Sequence, residues 1–171
     1  DILIDAGWLA SLLDAIEPRR GAGGAQASAP GAPDIVGGPI HLILRAPAPP
    51  WLTPFLRPYL GEIDLGPRRR DVTDANHLKG GNIALRRSLI EQHGGFDETL
   101  GRKGSELLAG EETALAARIL SAGGRAVYEP AMRAGHIIEN SRLTWEYFER
   151  IYRGKGTTQG RREPAAGVWV A

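Results

Sequence analysis

The chain of 171 residues contains no cysteine. It therefore has no disulfide framework, no thiolate zinc site and no cysteine nucleophile, which fits a reducing compartment. No apolar run approaches the roughly 18 residues of a membrane-spanning helix, and residues 1–5 lack the basic and apolar regions of a signal peptide. The formal net charge is only +1, so the composition gives no case for nucleic acid as a partner.

What the chain does contain suits one folded domain. Its length and its 42% apolar content are enough to build a single core. The first residue is not methionine, and Ile2-Leu3-Ile4 is typical of the end of a buried strand. We therefore expect the sequence to be part of a longer chain.

Apolar periodicity divides the chain into alternating strands and helices. Apolar residues spaced one, three and four positions apart predict a helix over 8–16. Alternating apolar residues predict a half-buried strand within 34–44. Further predicted elements are a strand at 83–85, a helix from Ser88 to His93, a helix opened by Gly110, a strand at 125–128 and a helix from Thr144 to Gly154. This order predicts the α/β class, with a mixed sheet flanked by helices.

Glycine and proline mark the segments between these elements. The Gly/Ala/Pro-rich run 19–33 predicts a flexible loop, and 161–171 predicts a disordered tail. Gly37-Gly38 predicts a bulge or a close approach of two backbones. We assign 1–160 to a single domain.

Two adjacent carboxylates, Glu111 and Glu112, begin the helix that follows Gly110. Acidic side chains in a first helical turn complement the helix dipole, and this effect alone would account for the pair. A carboxylate at such a position could also serve as a general base. Both interpretations remain open at this point.

Three further sets of residues have a structural and a functional interpretation. His136 follows the strand at 125–128, where a lone histidine is most often a hydrogen-bonded core residue. Gly80-Gly81-Asn82 precedes the strand at 83–85, and its glycines are typical of a turn with positive φ. Arg150 and Arg153 on the last helix are typical of a solvated helix face.

Together these motifs resemble the C-terminal half of a family 2 glycosyltransferase of the GT-A type. The resemblance is carried by Gly80-Gly81-Asn82 with Ala84, Arg86-Arg87 and Gly94-Gly95-Phe96-Asp97, and by Gly110-Glu111-Glu112-Thr113 with Leu115 and Arg118. It covers residues 1 to about 160, which correspond to the acceptor-side half of the family's domain. It implies a partial GT-A fold without the units that hold the nucleotide, and an inactive fragment.

The resemblance also implies a reaction and its site. A sugar would pass with inversion from a nucleotide-diphosphate sugar to a hydroxyl of a saccharide or lipid-linked saccharide, with Glu112 as the general base. The family most often has aspartate at that place. Glu111 would position the acceptor, Gly80, Gly81 and Asn82 would line the floor beside the sugar, and Arg150 and Arg153 would contact the departing diphosphate.

The same resemblance implies a divalent metal ion, Mn²⁺ or Mg²⁺, on the diphosphate. Asp1 aligns with the last aspartate of the family's metal-binding cluster, and His136 would complete the site on the same side of the sheet. The signature of processive members is absent. The implied location is the cytoplasm, with peripheral association at the inner face of the cell membrane.

Two other functional classes stay open. One is a non-catalytic binding or assembly module that keeps the GT-A half-fold. The other is a glycoside hydrolase that pairs Glu111 or Glu112 with Asp97. Adjacent carboxylates on one helical turn are poorly arranged for attack on both sides of a glycosidic bond, which disfavours the hydrolase.

Overall fold

The computed structural model describes residues 1–16, 31–100 and 108–162, without the side chains of 159, 161 and 162. Most of the predicted loop at 19–33 and most of the predicted tail at 161–171 therefore lie outside the described residues. The described helices are α1 (Trp8–Ile16), α2 (Arg87–Gln92), α3 (Glu111–Ser121) and α4 (Trp145–Arg162). The strands are β1 (Ile2–Ile4), β2 (Ile35–Gly37), β3 (Ile40–Leu44), β4 (Arg70–Val72), β5 (Ile83–Leu85), β6 (Ala126–Tyr128) and β7 (Ala134–Ile138).

The described strands form two mixed sheets. One has the order β1-β7-β3, in which β1 is antiparallel and β3 parallel to β7. The other has the order β4-β6-β2-β5, in which only β2 and β6 run parallel. The α/β class with mixed sheets flanked by helices is thus confirmed.

The predicted strand region at 34–44 is divided between the two sheets. The division falls at Gly38, where a Cβ atom would overlap the backbone carbonyl of Met132. A Cβ at Gly37 would lie 2.8 Å from Cδ2 of Leu78. The close backbone approach predicted for this glycine pair is confirmed, and it explains why one continuous strand does not form.

Helix α3 is anchored on the second sheet by its apolar face. Leu115, Ala116 and Ile119 are fully buried and share a core cluster with Ile35 of β2 and Ala126 of β6. Burying one such Leu or Ile side chain contributes about 1.5–3 kcal/mol. This packing fixes the N-terminus of α3, and with it the two glutamates.

Several predicted elements are confirmed at their expected places. Gly110, with φ of +113°, precedes α3 as its N-cap, a conformation that favours glycine. The Thr144 hydroxyl accepts a hydrogen bond from the backbone N–H of Tyr147 at 3.2 Å, so Thr144 caps α4. The predicted helix over 8–16 and the strands near 83–85 and 125–128 are present.

Three local predictions are wrong. Strand β1 is not buried, because Leu3 and Ile4 are 55% and 60% exposed at the edge of its sheet. Ser88 does not cap α2, which begins at Arg87 with no side-chain cap. Helix α4 does not end at Gly154 but continues to Arg162, because tertiary contacts beyond the glycine outweigh its poor helix propensity.

Candidate functional site

The two glutamates at the start of α3 have different partners. Glu111 folds back on its own helix end, where its Oε2 accepts a hydrogen bond from the Gly110 N–H at 3.1 Å. It therefore satisfies one of the amide groups that a helix N-terminus leaves without a partner. This capping contact, together with the helix dipole, gives Glu111 a structural role.

Glu112 instead reaches another part of the chain. Its Oε1 accepts a long hydrogen bond of 3.4 Å from the backbone N–H of Gly80. A Cβ atom at Gly80 would lie 3.3 Å from Cγ and 3.4 Å from Cδ of Glu112. The carboxylate thus lies directly on the Gly80 backbone, and its side chain is only partly buried. A side chain at Gly80 would crowd this carboxylate.

The Glu112 carboxylate acts electrostatically on two lysines. Burial lowers the pKa of the Lys79 ammonium, and the Glu112 carboxylate opposes that shift. Burial likewise lowers the pKa of Lys155, where Lys79 acts in the same sense and Glu112 opposes it. Among the described residues, no carboxylate lies within 4.0 Å of either ammonium.

Helix α4 covers the start of α3 with its second half. Thr158 is 6% exposed, and its hydroxyl accepts a hydrogen bond from the Ala109 N–H at 3.5 Å. One turn earlier, the Lys155 ammonium lies 4.1 Å from the centre of the Tyr59 ring, a cation–π contact. Tyr59 in turn stacks on Tyr152 with ring centres 4.4 Å apart. Lys155, on which the Glu112 carboxylate acts, therefore belongs to an aromatic and basic surface formed with Tyr59 and Tyr152.

The Asn82 side chain is buried and has a structural role. It is 3% exposed, and its Oδ1 accepts a hydrogen bond of 2.7 Å from the Trp8 indole N–H. Its Nδ2 donates to the carbonyls of Pro39 at 2.9 Å and Met132 at 2.6 Å. Both amide hydrogens are used inside the protein, so this side chain has no donor left for a sugar.

The two glycines before Asn82 are not explained by positive φ, because neither adopts it. A Cβ at Gly81 would lie 3.0 Å from Cδ1 of Ile2 and 3.3 Å from Cδ1 of Ile40. Gly81 therefore permits the turn before β5 to pack closely on the first sheet. Of the predicted floor residues, only Gly80 borders Glu112.

His136 is engaged through both ring nitrogens. Nδ1 lies 2.7 Å from the Leu60 carbonyl oxygen and therefore carries the proton. Nε2 lies 3.2 Å from the Arg142 guanidinium, from which it accepts. Neither nitrogen faces a place where a metal ion could bind, and the guanidinium would repel a cation.

Asp1 lies beside His136 along the sheet but one residue out of register. The backbone carbonyl of Asp1 accepts from the Ile137 N–H at 2.9 Å, and Ile2 pairs with His136. Because successive side chains alternate between faces, Asp1 falls on the face opposite His136. Within the part of the chain that the structure describes, no cluster of three His, Asp or Glu could hold an ion. The residues do not fit the predicted Mn²⁺ or Mg²⁺ site.

Arg150 and Arg153 are exposed on α4. On the same helix, the Glu112 carboxylate acts on the Lys155 ammonium. Sequence reasoning had not singled out Lys79 or Tyr59 as site residues. Lys79 had one available signal, since it directly precedes Gly80, whereas nothing local to Tyr59 indicated its place.

No helix within the described ranges combines the length and the apolar character that crossing a membrane requires. The chain matched no protein-family model, no curated protein and no solved structure.

Proposed function

We propose that this chain forms the acceptor side of an inverting glycosyltransferase site, with Glu112 as the general base. One observation carries the proposal. Glu111 is used to cap α3, whereas the Glu112 side chain extends from α3 onto the exposed backbone of Gly80 and acts electrostatically on Lys79 and Lys155. The pair is therefore not explained by the helix dipole alone.

The chemistry follows from this partly buried carboxylate. The acceptor hydroxyl attacks the anomeric carbon from the face opposite the leaving diphosphate. A new carbon–oxygen bond forms as the bond to the diphosphate oxygen breaks, and Glu112 takes the hydroxyl proton. Glutamate has one methylene more than the aspartate usual in the family, and the contact with Gly80 limits where the longer side chain can lie.

The remaining parts of the proposal follow from the family resemblance. They are a GT-A topology, a nucleotide-diphosphate sugar as donor, a saccharide or lipid-linked saccharide as acceptor, and a cytoplasmic site at the inner face of the membrane. The mixed sheets flanked by helices are compatible with this topology. The proposed reaction assigns no role to a metal ion, because the placement of Asp1 and His136 does not fit a metal site.

A binding or assembly module without catalysis is the second candidate. It is favoured by the internal hydrogen bonds of Asn82 and His136, because residues committed to the fold leave fewer groups for substrate. Such a module would still bind its saccharide or protein partner through the surface around Tyr152 and Lys155.

A transfer assay on the full-length native protein, rather than on the 171-residue chain alone, tests the two candidates. A panel of nucleotide-diphosphate sugars is offered with saccharide and lipid-linked saccharide acceptors, and the released nucleoside diphosphate is measured. NMR of the product then gives its anomeric configuration. We expect transfer with inversion for at least one donor. Retention would refute Glu112 as the base of a single displacement. Saccharide binding without release of nucleoside diphosphate would favour the binding module.

A further inference from the structure

A cavity of about 420 Å³ lies where the start of β3, the end of β6 and the segment after residue 63 meet. This volume is within the range of pockets that hold small molecules. Four polar side chains line the cavity, those of His41, Asp64, Tyr128 and Arg133. The Glu112 site uses none of them.

His41 reaches this cavity from the face of β3 that points away from Gly80 and Glu112. Its neighbour in β3, Ile40, faces the turn before β5, because a Cβ atom at Gly81 would lie 3.3 Å from Cδ1 of Ile40. Successive side chains of a strand alternate between its two faces. His41 therefore lies on the face opposite that turn, so the cavity is a separate place on the molecule.

Backbone hydrogen bonds hold the segments that carry the polar side chains. Ile40 and Ile63 exchange both of their backbone hydrogen bonds, at 2.9 and 3.0 Å, which brings Asp64 beside β3. Arg133 directly precedes β7, which runs parallel to β3. The lining is therefore largely formed before any ligand arrives.

Asp64 has one carboxylate oxygen committed to the fold. Its Oδ1 accepts hydrogen bonds from the Gly66 N–H at 2.7 Å and from the Tyr128 hydroxyl at 3.1 Å. Gly66 has a φ of +92°, a conformation that favours glycine. Among the residues that the structure describes, none donates a hydrogen bond to Oδ2 of Asp64. This oxygen is available as an acceptor.

His41 and Arg133 offer hydrogen-bond donors to the same cavity. A Cβ atom at Gly135 would lie 2.9 Å from Nε2 of His41, so the glycine leaves the room in which the imidazole lies. Both side chains are exposed, and neither forms a hydrogen bond or an ion pair with another described residue. A guanidinium only donates, whereas a neutral imidazole donates through one nitrogen and accepts through the other.

The charge and the surface of the lining suit a neutral polyhydroxy ring. The Asp64 carboxylate balances the Arg133 guanidinium, so a ligand with a net charge of either sign meets one repulsive group. Hydroxyl groups both donate and accept, which matches a lining that offers donors and an acceptor together. Three prolines, Pro39, Pro67 and Pro130, supply apolar surface for the C–H groups of such a ring.

We propose that this cavity binds one unit of a neutral saccharide. Arg133 and His41 donate to its hydroxyls, and Oδ2 of Asp64 accepts from one of them. The site is distinct from that of Glu112, and the proposal does not depend on the proposed function.

Titration of the native protein with free monosaccharides tests the proposal. D-glucose, D-galactose, D-mannose and N-acetyl-D-glucosamine are added separately while the imidazole NMR signals of His41 are followed. His93, at the end of α2, is the internal reference. We expect at least one sugar to shift the His41 signals saturably, with a Kd on the order of millimolar, and to leave those of His93 unchanged.

Three variants locate the binding. Asp64→Asn keeps an oxygen for Gly66 and Tyr128 but replaces the free acceptor with a donor, and Arg133→Met removes the guanidinium. We expect each to raise the Kd by roughly 10-fold or more. Arg45→Met removes an exposed cation just after β3 that is ion-paired with Glu139, and it should keep the wild-type Kd. Urea unfolding checks that all three variants are folded.

The outcomes that would overturn the proposal are specific. One is a Kd that stays within twofold of the wild type in both Asp64→Asn and Arg133→Met. Another is the absence of a saturable His41 shift with every sugar of the panel. Inorganic phosphate and glycine are titrated in parallel. A saturable shift with either of them and with no sugar would make the cavity an anion or zwitterion site instead.

Discussion

Replacing Asn82 with alanine tests whether the Gly80-Gly81-Asn82 motif is a structural or a substrate-binding element. The substitution removes hydrogen bonds to the Trp8 indole, the Pro39 carbonyl and the Met132 carbonyl. These three partners belong to α1, the β2–β3 junction and the segment between β6 and β7. Asn82→Ala should therefore loosen three parts of the fold at once.

The magnitude follows from the hydrogen bonds that are lost. Each contributes a net ~1 kcal/mol, and a buried partner left unsatisfied costs about 1–3 kcal/mol. We expect Asn82→Ala to lower the free energy of unfolding by about 3 kcal/mol. For a domain of this size, that corresponds to a fall in Tm of roughly 6–12 °C. Since the total free energy of unfolding of a domain is about 5–15 kcal/mol, this loss would be a large fraction of it.

Urea unfolding followed by tryptophan fluorescence is the assay, since Trp8 itself reports on the site. Asn76→Ala is the control. The Asn76 side-chain amide donates an exposed hydrogen bond to Asp74, and losing this bond should lower the free energy of unfolding by under about 1 kcal/mol. Asn82→Asp keeps the acceptor for Trp8 but no longer donates to the two carbonyls, so it should also be destabilised. If Asn82→Ala were as stable as Asn76→Ala, the structural role would be refuted.

Three further predictions concern other parts of the fold and site. Gly38→Ala places a Cβ atom against the Met132 carbonyl and should destabilise the protein by about 1–3 kcal/mol or more, measured by urea unfolding; wild-type stability would contradict the close approach. Burial raises the Tyr128 pKa to about 12 from 10.0, so the phenol contributes stability that is intact below pH 10.0 and is lost as pH rises toward about 12. Thermal unfolding should show this decline in the wild type and less of it in Tyr128→Phe, and equal declines would count against it. Because both nitrogens of His136 are engaged, added Mn²⁺ should not selectively broaden its imidazole NMR signals, and selective broadening would restore the metal assignment.

The sequence predicted the elements whose determinants are local. Apolar spacing is enough to define α1, and glycine followed by helical periodicity is enough to place the start of α3 at Gly110. Thr144 caps α4 through a bond to a residue three positions away. In each case the residues that decide the structure lie within one or two helical turns.

The features that could not be predicted depend on distant residues. Helix α4 passes Gly154 because Thr158 packs against Ala109 and Gly110. The strand region at 34–44 divides at Gly38 because Met132 approaches it from the other end of the chain. Neither contact leaves a periodic pattern in the sequence.

The roles of the site residues also depend on contacts between distant residues, which the sequence does not reveal. Residue type and helix position indicated the pair Glu111–Glu112, but only the three-dimensional contacts separate a capping carboxylate from one that lies on Gly80. The predicted pairing of Asp1 with His136 came from resemblance. Because side chains alternate along β1 and β7, Asp1 and His136 lie on opposite faces of the sheet and cannot pair.

The most direct test of the central claim compares Glu112→Gln with Glu111→Gln in the transfer assay on the native protein. Glutamine keeps the size and hydrogen bonding of each residue but cannot take the acceptor proton. We predict that Glu112→Gln lowers turnover by roughly 10²–10⁴-fold with donor binding little changed, and that Glu111→Gln, which loses only a helix cap, costs less. Near-normal turnover in Glu112→Gln would contradict the account: an inactive Glu111→Gln would then make Glu111 the base, and two active variants would leave the pair as helix-stabilising charges alone.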